Sequence, residues 1–315
     1  VFRPAVSRAV LLSSGCSSSE DRRHGMGKGS CGRCACTLAP DAISRSCVAG
    51  ESAPPAYQRP AVFPEDDKDK YLARQPKYNA GPGSYLPTLR RKGADELVVE
   101  PMRWGLIPSY VKADTIQEAG KQGHMMINAR SDNLLRVHKR LLDARRCVVV
   151  VDGFFEFKDD KGTKHPWFIR RKEGAGPLIM AGLWDRWTAP SGEAVQSCTV
   201  ITTESNNTLS WLHDRLPCIL ERHEVPQWLE GDFSSRSVNS LLRPFKGELD
   251  FYEVGPVVNN VKNNVRECLL SLEEYRAHNL QKGIGRFLSP SSASQPSTIS
   301  PQPTPSKRPL PIPPS

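Results

Sequence analysis

The hydrophobic pattern is strongest in the middle of the chain. Short apolar or β-branched runs at 146–151, 154–158, 167–171, 178–184 and 195–202 are separated by Gly, Pro, Asp or Lys, a spacing that predicts strands. Just before them, Leu134, Leu135, Val137, Leu141 and Leu142 recur at near-helical intervals, and Ser131 or Asp132 stands where a cap is wanted, so one helix is predicted over 131–145. Upstream, 31–38 alternates weakly as a strand, Pro40 sits in the first turn of a short helix ending at Ser46, and 48–76 has neither period and reads as a long surface loop. A turn is expected at 78–83 and a strand at 96–100. Downstream, 208–212 and 225–229 predict short helices and 254–258 a last strand, with the globular part ending near 275–280. Groups of short strands with helices between them predict an α+β fold: one domain around a curved, barrel-like, mainly antiparallel sheet with flanking helices.

The ends differ from this middle. Residues 1–30 mix Arg and Ser without apolar periodicity and open on Val, which reads as a disordered or mispredicted extension, with a transit peptide as the lesser alternative. Beyond Leu288, Ser and Pro dominate, so burial cannot offset chain entropy and disorder is expected. The expected organisation is an extension over 1–30, a domain over 31–280 and a tail over 281–315.

Composition narrows the class of partner. A formal charge of +9 and a pI near 9.1 over 315 residues suit a polyanion, nucleic acid above all, or simply a basic soluble protein. No run approaches the length of apolar sequence that a membrane-spanning helix needs, so no membrane association is expected. Nine cysteines, an odd number with several inside apolar runs such as Cys147 before four valines, predict buried thiols in a reducing, intracellular compartment rather than a disulfide framework.

Candidate chemistry is scattered along the chain in four places: Cys31-Gly32-Arg33, Asn128-Ala129-Arg130-Ser131-Asp132, Gly153-Phe154-Phe155-Glu156-Phe157 and His213-Asp214-Arg215-Leu216-Pro217. A thiol, an amide, a carboxyl and an imidazole are the groups needed to activate a nucleophile and move its protons, provided that folding brings them together. Taken alone, Glu156 also reads as a strand-end carboxylate, His213 as a helix-end hydrogen bonder and Trp104 as a core aromatic.

These four, together with Tyr78-Asn79-Ala80, Met102-Arg103-Trp104-Gly105-Leu106-Ile107-Pro108, Ala181-Gly182-Leu183-Trp184 and Val257-Val258-Asn259-Asn260, resemble in order the SRAP family (SOS-response-associated peptidase) from Cys31 to about Leu269. The resemblance implies a sensor of abasic sites in single-stranded DNA that captures them covalently through an N-terminal cysteine, with an associated autopeptidase activity. It implies Cys31 as nucleophile, Asn128 holding its amine or the sugar, Glu156 moving protons and His213 assisting sugar ring opening. It further implies DNA contacts by Arg33, Asn79, Arg103 and Arg130, stacking by Trp104, no cofactor or metal, a monomer, and a place at replication forks in the nucleus. Two departures stand out: thirty residues precede Cys31, and Phe157 stands where Trp is common. The first fits a wrongly predicted first exon, self-cleavage at Ser30-Cys31, or an inactive homologue.

Other readings stay open. Cys31, Cys34 and Cys36, with Cys47, suit a metal or iron-sulfur site. The same basic surface would suit a non-covalent reader of modified bases, and Cys31, His213 and Glu156 would suit a peptidase acting on other proteins. Finally, 281–288 resembles a peptide that docks on the replication sliding clamp, with Gln281, Ile284 and Phe287 as its key positions, although the frayed end of a helix would look the same.

Overall fold

The computed structural model describes residues 32–47, 56–57, 76–93, 96–122, 126–233 and 236–288; Cys31 and the expected extension and tail, apart from 281–288, lie outside them. Five strands form a closed barrel: β4 (Tyr85–Lys92), β5 (Glu96–Trp104), β7 (Arg146–Val151), β10 (Leu178–Thr188) and β11 (Ala194–Glu204). Neighbours pair antiparallel in the order β11-β10-β7-β4-β5, β5 returns to β11 in parallel at Arg103↔Ser197 and Trp104↔Cys198, and the short β2 (Ala56–Tyr57) lies parallel to β5. Closure satisfies the backbone groups that an open edge would leave exposed. The β7 run Cys147-Val148-Val149-Val150-Val151 is buried throughout because both of its faces are covered.

The second sheet is antiparallel, in the order β13 (Leu249–Glu253), β9 (Thr163–Arg171), β8 (Gly153–Asp160), β1 (Arg33–Cys36) and β3 (Lys77–Ala80). The chain passes into it from the barrel at Asp152-Gly153. A Cβ on Gly153 would lie 2.4 Å from Phe168 Cζ and 2.5 Å from the carbonyl oxygen of Ile169. Only glycine allows so close an approach. Asp152 fastens the corner to β1: its N–H donates to Ala35 O (2.8 Å), and its Oδ2 accepts from Thr37 N–H (2.7 Å) and Oγ1–H (2.6 Å). Burial pushes the Asp152 carboxyl above its usual range.

Several expected elements are redrawn by local chemistry. The helix over 131–145 is three short pieces, a 3-10 turn at Ser131–Asn133 and helices at Leu134–Val137 and Lys139–Ala144, broken where His138 leaves helical geometry at φ −125°. Leu134, Leu141 and Leu142 are buried whereas Leu135 and Val137 face solvent. The segment 208–212 is a chain of turns rooted on Asn206, whose Oδ1 and backbone oxygen accept from Leu209 N–H and Ser210 N–H. The strand expected over 254–258 lies earlier, at Leu249–Glu253, because Pro256 has no N–H for a ladder and opens a 3-10 turn. The turn at 78–83 is confined to its second half, since Lys77–Ala80 is a strand. Strand β4 has no counterpart in the sequence pattern, where Pro87 and Arg90-Arg91-Lys92 interrupt the alternation; Pro87 pairs opposite Pro101. The last helix, Leu272–Leu288, runs past the expected end of the globular part.

Among described residues no helix is long and apolar enough to cross a membrane. Gly153→Ala is expected to destabilise the fold by about 3 kcal/mol or more, because a backbone oxygen must yield to the methyl group. A urea midpoint unchanged from wild type would contradict the crowding at this corner.

Candidate functional site

The second sheet delivers one side of the site. In the β1–β8 register Arg33 faces Phe155 and Cys34 faces Phe154, so one step further Gly32 lies opposite Glu156. Glu156 is only 4% exposed. Across from it, a Cβ on Gly32 would be 3.8 Å from Ile127 Cδ1, and Ile127 leads directly into β6 (Asn128–Arg130). Strand β6 is fixed by parallel pairing with β11, Asn128 opposite Val200, and by the Trp104 indole, whose Nε1–H donates to Ile127 O at 2.9 Å. The amide of Asn128 is half-buried with its Oδ1 closed off from solvent. Gly32 therefore lies beside the strand of Glu156 and against the residue that precedes Asn128.

The imidazole arrives from the loop before β12 (Arg215–Pro217), which pairs with the end of β11. Ser205 N–H donates to Asp214 O and His213 N–H to Leu209 O, so the loop is internally braced. His213 Nδ1 lies 3.0 Å from Arg215 N and 2.9 Å from Asp214 Oδ1, contacts that demand opposite protonation of the same nitrogen. The backbone donor is fixed, whereas the Asp214 side chain is 81% exposed and can swing away. Nδ1 is thus the acceptor in the neutral ring, and the proton is on Nε2. Trp211 ties this loop to the second sheet by edge-on packing against Trp167 (centroids 4.9 Å apart, 84°), and Trp167 is the cross-strand partner of Glu156. Carboxyl and imidazole are thereby gathered on one side of the molecule.

The expected DNA-binding residues divide sharply. Trp104 is 2% exposed with its N–H already engaged, so it offers no face to a base; it is a core residue that positions Asn128. Asn79 is likewise buried: its Nδ2 donates to the carbonyls of Val258 (3.1 Å), Asn260 (3.0 Å) and Asn263 (3.1 Å), and its Oδ1 accepts from Arg33 Nη1 (3.2 Å). Arg33 also donates to Val258 O at 2.8 Å and lies over the Phe157 ring, and burial holds its pKa below the usual arginine value. Together they organise the 258–263 turn. Arg103 is partly buried, with its guanidinium beside Gly83 and Gly120. Arg130 remains outward, held through Nε (3.1 Å) and Nη2 (2.7 Å) by Asp132. The neighbouring Arg215 is tied to Thr202, and its pKa is lowered first by burial and then by the charge of Arg130.

The seven described cysteines, 34, 36, 47, 147, 198, 218 and 268, are all buried. Burial pushes the thiols of Cys36, Cys47, Cys198 and Cys218 up to about 12 and that of Cys147 well above its ordinary value. A thiol so far from ionisation is a poor nucleophile. Among described residues no three His, Cys, Asp or Glu side chains are grouped to hold a metal ion. The clamp-like peptide forms the end of the last helix; Gln281 is exposed, and the side chains of Ile284 and Phe287 lie outside the described residues. Trp211, Trp167 and Lys158 at the site's edge escaped the sequence reading. The signal was available in Trp211, an aromatic two positions before His213.

A closed mixed barrel bearing an antiparallel sheet and several helices defines a single-domain α+β protein. The chain belongs to the family described as SOS response associated peptidase (SRAP), which matches residues 30–261. It is 35% identical over 271 residues to the abasic site processing protein HMCES of Xenopus tropicalis, covering 77% of this chain and 78% of that one. It is 33% identical over 216 residues to the abasic site processing protein YoaM of Bacillus subtilis, covering 66% and 92%. A crystal structure of a Bacteroides thetaiotaomicron protein superposes with a TM-score of 0.55 at 26% identity, covering 62% of this chain and 85% of that chain. One from Bordetella bronchiseptica, 22% identical with the same TM-score, covers 71% of this chain and all of its own, and shares the fold.

Two outcomes are expected. Asn79→Ala leaves three buried carbonyls and Arg33 short of partners and lowers stability by about 2–3 kcal/mol in urea titration. Iodoacetamide at neutral pH leaves all seven buried cysteines of the native protein unmodified, as mass spectrometry would report, and reacts with them once urea is added. Rapid labelling of Cys147 or Cys198 in the folded chain would contradict their burial.

Proposed function

We propose that the protein processes abasic sites in single-stranded DNA, forming a thiazolidine crosslink through Cys31 once that residue is N-terminal. The observation that carries this reading is the placement of Gly32 between the strands of Glu156 and Asn128. The names of the HMCES and YoaM relatives support the substrate.

The chemistry follows from the groups. An abasic deoxyribose opens to an aldehyde; the α-amine of Cys31 adds to it, the carbinolamine loses water, and the thiol closes onto the imine carbon to give a five-membered ring. An internal cysteine cannot do this, because its amide nitrogen shares its lone pair with the carbonyl. The amine, near pKa 7.7–8, and the thiol, about 8.5, are both largely protonated at neutral pH, so a proton acceptor is needed. Glu156 takes the ammonium proton and returns it to the departing hydroxyl. His213 Nε2–H supports opening of the sugar at its ring oxygen, and Asn128 orients the amine. Phosphate contacts fall to Arg130 and Arg103. Release of residues 1–30 by hydrolysis of the Ser30-Cys31 peptide bond, the family's peptidase activity turned on this chain, leaves the amine that capture requires. The workplace proposed is the nucleus at replication forks, with clamp docking through Gln281, Ile284 and Phe287.

A chain beginning at Cys31 is expected to give a heat-stable adduct with abasic single-stranded DNA on denaturing gels, whereas a chain demonstrably retaining residues 1–30 gives none. Cys31→Ala at the terminus keeps the amine and gives only a borohydride-trappable imine. Glu156→Gln slows adduct formation on the order of 100-fold while changing DNA affinity little. A heat-stable adduct from the uncleaved chain would assign the chemistry to another nucleophile. Release of all DNA on denaturation by the chain beginning at Cys31 would favour a non-covalent reader.

A further inference from the structure

Beside Glu156 stands an aromatic cluster that the chemistry above does not use. Trp211 is 41% exposed, unusual for an indole held on several sides. Trp167 meets it edge-on, the Phe251 ring lies 6.1 Å away at 53°, and Lys158 Nζ sits 4.7 Å from its ring centroid. The register explains the grouping. Glu156 pairs with Trp167, which pairs with Glu253, while Lys158 and Phe251 lie two residues along their strands and so on the same face. Directly paired side chains in such a sheet have Cβ atoms about 4.5–5.5 Å apart. Trp211, one ring beyond Trp167, is therefore displaced from Glu156 by roughly one side chain, the place for a neighbour of the reacting sugar. Glu253 Oε1 is engaged with His165 Nδ1 at 2.8 Å, and among the described residues it makes no ion pair with Lys158. Trp167 Nε1 is buried and donates to no atom of the described residues.

We propose that the exposed face of Trp211 is a stacking platform for the nucleobase adjacent to the abasic site, and that the Lys158 ammonium leaves the ring to pair with that nucleotide's phosphate. The proposal rests on the abasic-site reading and names the part of the DNA which that reading leaves unassigned. A nucleobase suits the surface because every base has a π-face, because its phosphate is a partner for the freed ammonium, and because the chain's charge of +9 favours a polyanion. Trp167 and Phe251 keep the indole in place, so little side-chain freedom is lost on binding.

The test uses the full chain and fluorescently labelled single strands carrying a stable tetrahydrofuran abasic analogue, which binds without crosslinking. In one strand the flanking positions are normal nucleotides; in the other they too are tetrahydrofuran. Trp211→Ala is expected to weaken binding of the first strand about tenfold and that of the second little, and Trp211→Phe to restore most of the loss. Lys158→Gln weakens both strands and flattens their salt dependence. Tryptophan emission of the wild type falls on binding the base-flanked strand, and that fall is absent in Trp211→Phe. Equal weakening of both strands by Trp211→Ala, or no weakening, overturns the platform and leaves the cluster a packing feature. If the wild type binds abasic and intact strands equally but with the same base-dependent quenching, the platform stands and the abasic-site reading fails.

Discussion

The corner at Asp152-Gly153 is the constraint on which the rest depends. There one strand leaves the barrel and enters the second sheet, with no room for a side chain between Phe168 and the backbone of Ile169. Asp152 clamps the incoming β1 to the same point through Thr37 and Ala35. Because β7 is locked inside the barrel and β8 continues it, the place of Glu156 relative to β11, and hence to Asn128 and His213, is set by this passage. A buried carboxyl with a raised pKa at the corner is a local cost, offset by the two charge-assisted bonds that Thr37 supplies.

Around the corner, polar residues that look like ligand contacts are used as scaffolding. Asn79 and Arg33 close a turn more than 170 residues away in sequence, and the Trp104 N–H holds the approach to Asn128. These bonds lie in or near the interior, where leaving such groups without partners would cost more than the bonds themselves gain. Other polar and aromatic groups face outward: Arg130, held by Asp132, and Trp211, 41% exposed. The scaffold is thereby fixed before anything binds, which the proposed chemistry would need.

Burial also sorts the thiols. A chain with nine cysteines could react at many points, yet the seven described ones are buried, and at Cys36, Cys47, Cys147, Cys198, Cys218 and Cys268 burial disfavours the thiolate. In Cys36 the neighbouring charge of Asp152 adds to the effect of burial. Under the proposed chemistry, burial of these seven narrows the candidates to Cys16 and Cys31.

The sequence by itself determined the α+β class and the strand-rich middle from β7 to β11, because short apolar and β-branched runs are local properties of the chain. It also carried the family, through motifs spread from Cys31 to Leu269. Tertiary structure alone decided which tryptophan is core and which is surface: Trp104 sits in an apolar run and is interior, while Trp211 is held outward by contacts with Trp167 and Phe251, residues 44 and 40 positions distant. It decided the break at His138 and the strand β4, where partners across the barrel override a poor local pattern. Above all it decided that Gly32 lies across from the strand of Glu156 and against Ile127, beside Asn128, since proximity across strands depends on register and closure, and neither is written in any single stretch of sequence.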